Sequence, residues 1–127
     1  MPSSKQKKGF AGETVAAKFL QKKGYVILER NYRYRKAEVD LIVLSPRIEG
    51  QVAAELVFVE VKWRRDRLFA APESAVGFKK RRLLVFAAEA YMHDRKMTQT
   101  FCRFDVIALS GLPPRLEIEH IEAAFVG

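Results

Sequence analysis

Apolar residues along this chain recur first at helical spacing, then in alternation, then at helical spacing again. Val15, Ala16, Phe19 and Leu20 share one face of a helix predicted over Gly9–Lys23, with Gly24 as its stop. Tyr25–Leu28, continuing towards Tyr32, reads as a first strand, and Arg33–Lys36 as a basic turn. Glu38–Leu44 and Leu56–Lys62 read as second and third strands, joined by a loop with Pro46 and Gly50. A loop rich in arginine, with Pro72, leads to a second helix from Gly77 or Phe78 to Tyr91. Its apolar stripe is Leu84, Ala87, Ala88 and Tyr91. Phe101–Leu109 is a fourth strand, and Pro113-Pro114 forces a turn. Leu116–Phe125 is an extra C-terminal strand at an edge, with Glu117, Glu119 and Glu122 facing solvent. The order α-β-β-β-α-β, plus that last strand, predicts an α/β fold with a mixed sheet of about five strands flanked by helices. The middle strands form a meander, and the second helix crosses over to the fourth strand.

A length of 127 residues, about half of them apolar, suits one domain with a real core. We assign residues 1–8 to a flexible basic arm and 9–127 to the domain. No apolar run approaches the roughly 20 residues of a membrane span, and the basic N-terminus lacks the apolar stretch of a signal peptide. Cys102 is the only cysteine, which excludes an internal disulfide and argues against a thiolate zinc site. A cytoplasmic location is expected.

The net charge of +8 is segregated. Residues 1–36 carry a balance of +8 and residues 62–82 a balance of +6, while the remainder sums to −6. Concentrated positive charge favours a polyanion, nucleic acid before acidic membrane.

Against that basic background, Asp40, Glu60 and Lys62 are out of place. Asp40 opens the apolar run Leu41–Leu44, and Glu60 and Lys62 close the run Leu56–Val61. Strand alternation points Glu60 and Lys62 the same way. Carboxylates at the ends of buried strands are costly unless their charge is compensated. Mg²⁺ or Mn²⁺ held by Asp40 and Glu60, with the Val61 carbonyl as an added ligand, would compensate it and activate a water against a phosphodiester. Lys62 would orient or deprotonate that water and offset transition-state charge. Glu13, at the margin of the first helix's apolar stripe, either faces the sheet as a further acid or is a solvated glutamate favouring the helix dipole.

These residues, with Gly12, Gly24-Tyr25, Asn31-Tyr32-Arg33, Ala37-Glu38-Val39-Asp40, Arg64, Pro72, Lys79, Tyr91 and Arg103–Val106, carry a resemblance over roughly residues 9–110. The chain resembles the YraN/UPF0102 family of the PD-(D/E)xK nuclease superfamily, related in fold to archaeal Holliday junction resolvases. The resemblance implies a restriction-endonuclease-like fold, Asp40 and Glu60 as metal ligands, Lys62 as the catalytic lysine and Glu13 as an auxiliary acid. It also implies a metal-dependent endonuclease acting on DNA, and a homodimer. Ala37 stands where the family usually has glycine, a change expected to alter the turn before the site.

Arg33, Arg35, Lys36, Arg64, Arg65, Lys79 and Lys80 are the expected backbone contacts to nucleic acid, with Lys79 foremost in the second helix. Tyr32 or Tyr34 either stacks on an unpaired base or packs in the core. Branched or single-stranded substrates are expected, because no dedicated base-reading module is present. The rival reading is a non-catalytic nucleic-acid-binding protein of the same fold. Asp105 is expected to pair with Arg103 or a loop amide. His93 and His120 are expected at the surface, Trp63 in the core and Cys102 as a buried thiol.

Overall fold

The computed structural model describes residues 12–47, 49–50, 53–64 and 77–125. Residues 1–8, Arg65 and most of the loop containing Pro72 lie outside them. The elements are α1 (Gly12–Lys22), β1 (Val26–Tyr34), β2 (Ala37–Leu44), β3 (Leu56–Arg64), α2 (Phe78–Asp94), β4 (Cys102–Ser110) and β5 (Glu117–Phe125). One sheet runs in the order β1-β2-β3-β4-β5, with only β3 and β4 parallel. The expected mixed α/β sheet, including its C-terminal edge strand, is therefore present.

Each face of the sheet carries one helix and its own core. Leu84, Ala87, Ala88 and Tyr91 of α2 pack on Val39, Ile42, Leu56, Phe58, Phe104 and Val106. Ala16, Ala17 and Leu20 of α1 pack on Leu41, Val43, Val57, Val59, Val61, Ile107 and Leu109. Because β3 is covered on both sides, Leu56–Val61 are all buried, whereas β5 alternates and keeps its glutamates in solvent. Each fully buried aliphatic side chain contributes about 1.5–3 kcal/mol.

Two departures from regular pairing shape the sheet's end. The β1/β2 register shifts between Ile27 and Glu29, leaving Leu28 as an extra residue. In β2, strict alternation would set Val39 and Leu41 on one face, but Val39 joins the α2 core and Leu41 the α1 core. The strand exchanges its faces at Asp40.

The basic turn is shorter than expected. Arg33 and Tyr34 are strand residues, and Arg35 and Lys36 alone make the reversal. Arg35 takes the left-handed conformation (φ 56°), so Ala37 needs no glycine freedom; it starts β2 and is buried. Gly24 (φ 93°) ends α1 as expected, and a Cβ there would lie 3.3 Å from Pro46.

Cys102 is exposed, not buried, because it opens β4 at the sheet's margin. His120 is not a surface residue. Its side chain is 4 % exposed, sits edge-on to Phe19 and Tyr25, and bonds through Nε2 to Asp105 Oδ2 (2.7 Å) and through Nδ1 to Lys23 Nζ (2.8 Å). Asp105, fully buried, also accepts from Arg103 Nε (3.0 Å) and from the Ala123 amide (2.9 Å) at the β4/β5 bulge. Arg103 in turn reaches Glu55, Glu122 and the Tyr25 hydroxyl. Burial by itself would raise the Asp105 carboxyl. Hydrogen bonds from His120, Arg103 and Ala123 outweigh burial and hold it below the ordinary range.

Asp105 therefore stabilises the fold at neutral pH, and that contribution fades only as acid protonates it below its ordinary pKa. Asp105→Ala should lower unfolding free energy at pH 7 by about 3 kcal/mol, since it removes the buried acceptor shared by Arg103, His120 and the Ala123 amide. Urea denaturation of both proteins at pH 7 checks this, and a loss under about 1 kcal/mol would show that the network is not stabilising.

Candidate active site

The site forms where β2 and β3 stop pairing. Their ladder ends at Leu41 and Val59, so the next amide, that of Val61, has no strand partner on β2. Asp40 Oδ2 accepts from it at 2.8 Å. In an extended strand the N–H and C=O of one residue point to the same side, so the Val61 carbonyl faces the same gap. Asp40 is 4 % exposed and Glu60 3 % exposed.

The exchange of faces at Asp40 lets both helices reach this point. On one side, Glu13 of α1, Glu38 and Asp40 bring carboxylate oxygens within 4.8 Å of one another. On the other, Glu60 projects on the Phe58 face, towards α2. Its Oε1 lies 3.2 Å from Lys80 Nζ and 3.7 Å from Lys62 Nζ. Its Oε2 is buried with no hydrogen-bond partner among the described residues. Asn31 falls between the pairs Arg30–Leu41 and Tyr32–Val39, opposite Asp40. It is left-handed (φ 54°), and its Oδ1 is likewise buried and unpartnered among the described residues.

Burial raises the Glu60 pKa, and repulsion from Asp40 raises it further. Lys80 and Lys62 oppose both, and the result is about 7. A group of hard oxygens with one buried oxygen left unbonded and a carboxyl reluctant to ionise suits a divalent cation such as Mg²⁺ or Mn²⁺.

The structure sets Glu13 beside Asp40, the Val61 amide on Asp40 and Lys62 on Glu60, with Asp40 near enough to repel the Glu60 charge; the carboxylates within 4.8 Å of one another are those of Glu13, Glu38 and Asp40, without Glu60. Lys80 joins them as a counter-charge to Glu60, while Lys79 is exposed on the helix surface. Arg33 pairs with Glu38 at 2.8 Å, Arg35 lies over the Tyr34 ring, and Lys36 is exposed at the hairpin tip. Arg64, at the end of β3, is exposed at the same margin of the sheet. Trp63 packs on the α1 side and donates Nε1–H to the Gly111 carbonyl.

Two residues escaped the sequence reading. Glu38 stands two residues before Asp40, but strict alternation would turn it to the α2 side; the exchange of faces brings it to Glu13. No sequence signal identifies Asn31 as a partner of Asp40, because that placement depends on the β1 bulge.

The Uncharacterised protein family UPF0102 matches residues 12–109, most of the chain and all of these side chains. The chain belongs to the UPF0102 family. Similar UPF0102 proteins include TTE1452 of Caldanaerobacter subterraneus subsp. tengcongensis, 38 % identical over 125 residues (96 % of this chain, 97 % of that protein). Those of Chlorobium chlorochromatii (40 %; 98 % and 95 %) and Pelobacter propionicus (42 %; 92 % and 81 %) are similar along nearly the same span. No helix among the described residues of this UPF0102 chain is long and apolar enough to cross a membrane.

Because Glu60 binds a proton more tightly folded than unfolded, stability of the metal-free protein should fall as pH rises from about 4.5 to about 7. The whole drop should be on the order of 3 kcal/mol. Glu60→Gln should flatten that slope and be the more stable protein at pH 8. Urea titrations at pH 5 and 8, in EDTA, read both effects; parallel curves for the two proteins would contradict them.

Proposed function

We propose that this UPF0102 protein is a metal-dependent endonuclease. It hydrolyses phosphodiester bonds in nucleic acid, DNA foremost, at branched or single-stranded structures. The observation that carries this reading is the buried Glu60 Oε2 beside Asp40, without a hydrogen-bond partner among the described residues, with the Lys62 and Lys80 ammonium groups at 3.7 and 3.2 Å from the other oxygen of Glu60. A protein that only bound nucleic acid would have little use for buried and clustered acids where phosphate must approach.

Asp40, Glu60 and the Val61 carbonyl would hold Mg²⁺ or Mn²⁺, with Glu13 and Glu38 at its flank. The bound cation would supply Lewis acidity and neutralise charge on the phosphate. Asp40 cannot swing freely, because its second oxygen is fixed by the Val61 amide. Lys62 is held by Glu60 and faces the same opening, where it orients the attacking water and offsets the charge that builds on phosphorus in the transition state. The water's oxygen bonds to phosphorus as its proton passes to solvent, the bond from phosphorus to the leaving sugar oxygen breaks, and that oxygen takes a proton from solvent to leave as the hydroxyl. Lys80, on the same oxygen of Glu60 as Lys62, lowers the cost of ionising that carboxylate. Arg35, Lys36 and Arg64 rim the opening, and the exposed Arg33 guanidinium sits beside them on Glu38.

Lys62→Ala should reduce Mg²⁺- or Mn²⁺-dependent cleavage of labelled flaps, junctions and single strands by about 10²–10⁴-fold while leaving oligonucleotide affinity nearly unchanged. Asp40→Ala should abolish cleavage and weaken Mn²⁺ binding in calorimetry. Tight DNA binding by the unaltered protein without any metal-dependent cutting would instead favour the non-catalytic binding protein.

A further inference from the structure

α2 uses one face for the core and leaves another that ordinary surface helices do not have. Phe78 is 75 % exposed and Phe86 51 % exposed, although both sit in regular helix. Phe78, Arg82 and Phe86 are spaced i, i+4, i+8 and form a single stripe, roughly 12 Å long from the helix rise. The stripe alternates ring and cation. The Arg82 guanidinium lies over the Phe78 ring at 5.9 Å. Phe86 meets Tyr34 edge-on at 5.5 Å, and Arg35 lies over Tyr34 at 5.5 Å. The row therefore leaves the helix and continues onto the β1/β2 hairpin.

A groove of about 890 Å³ follows this row, lined by Phe78, Lys79, Arg82, Leu83 and Phe86 among others. It runs along the outward face of α2, with Lys80 of the same turn pointing the other way to Glu60, and it ends at Glu89, whose charge would repel phosphate. Exposed aromatic rings alone are an aggregation hazard or a protein interface. Rings interleaved with Arg82 and Arg35, beside the exposed Lys79, complement a different occupant: unpaired bases stack on the rings while the cations follow the backbone. Paired bases present no open faces to such a row.

We infer that the Phe78–Arg82–Phe86–Tyr34–Arg35 row is a stacking platform for an unpaired stretch of nucleic acid, which it leads to the acidic centre. This rests on the nuclease reading and specifies its substrate: a strand with unpaired nucleotides next to the bond that is cut.

The test is fluorescence anisotropy in EDTA with a short labelled oligodeoxynucleotide, single-stranded and as its full duplex. Phe78→Ala, Phe86→Leu and Phe86→Trp are compared with the unaltered protein, after thermal melts confirm folding. Phe86→Leu keeps apolar volume and removes the ring face. Phe78→Ala and Phe86→Leu should each weaken single-strand binding about tenfold, with duplex binding changed less than about twofold, and Phe86→Trp should retain affinity. Unchanged single-strand affinity in both ring-less variants, with cleavage by the unaltered protein intact, would overturn the platform and leave the nuclease. If those variants lost self-association in sedimentation and kept single-strand affinity, the face would belong to a second copy, which also overturns it. No binding of either oligonucleotide by the unaltered protein would remove the nuclease reading and the platform with it.

Discussion

The bond from the Val61 amide to Asp40 Oδ2 is the constraint from which the rest follows. A strand amide cannot be left unbonded in a protein interior, and where β2 parts from β3 no backbone carbonyl is available. A carboxylate fills the vacancy. That choice fixes one oxygen of Asp40 and leaves its negative charge beside Glu60, so Glu60 resists ionisation and needs Lys80 and Lys62 close by. Satisfying one backbone donor thus assembles a strained cluster of charge.

Another buried carboxylate makes the contrast plain. Asp105 is as deeply buried as Asp40 and Glu60, yet it accepts from His120, Arg103 and Ala123 and is held ionised. It is internally complete and braces the β4/β5 bulge. Glu60 has one oxygen without a partner among the described residues and a pKa displaced the other way. Burial is common to both; the difference lies in whether the fold itself supplies the partners. A carboxylate that the fold leaves incomplete is poised for something from outside.

The two-sided sheet is what allows a centre at this point. α1 contributes Glu13 to Asp40 from one face and α2 contributes Lys80 to Glu60 from the other. The same helix that supplies Lys80 presents Phe78 and Phe86 outward, and the hairpin that precedes Asp40 presents Arg35 and Tyr34 beside them. Chemistry and its approach are therefore carried by the same two elements.

By itself the sequence determined what depends on local periodicity. The order of helices and strands follows from apolar spacing, and Leu84, Ala87, Ala88 and Tyr91 all proved buried because a helix repeats its faces regularly. Asp40, Glu60 and Lys62 were legible as charges placed against apolar strands. What breaks periodicity was decided in three dimensions. The bulge at Leu28 set Asn31 opposite Asp40, the exchange of faces in β2 joined Glu38 to Glu13, and the β4/β5 bulge brought the Ala123 amide onto Asp105. Cys102 came out to the surface because it lies at a strand's start, a boundary that propensity does not locate. Which lysine of Lys79-Lys80-Arg81-Arg82 meets Glu60 depends on how α2 is rotated on the sheet, and that rotation is set by packing of its apolar face, not by the charges themselves.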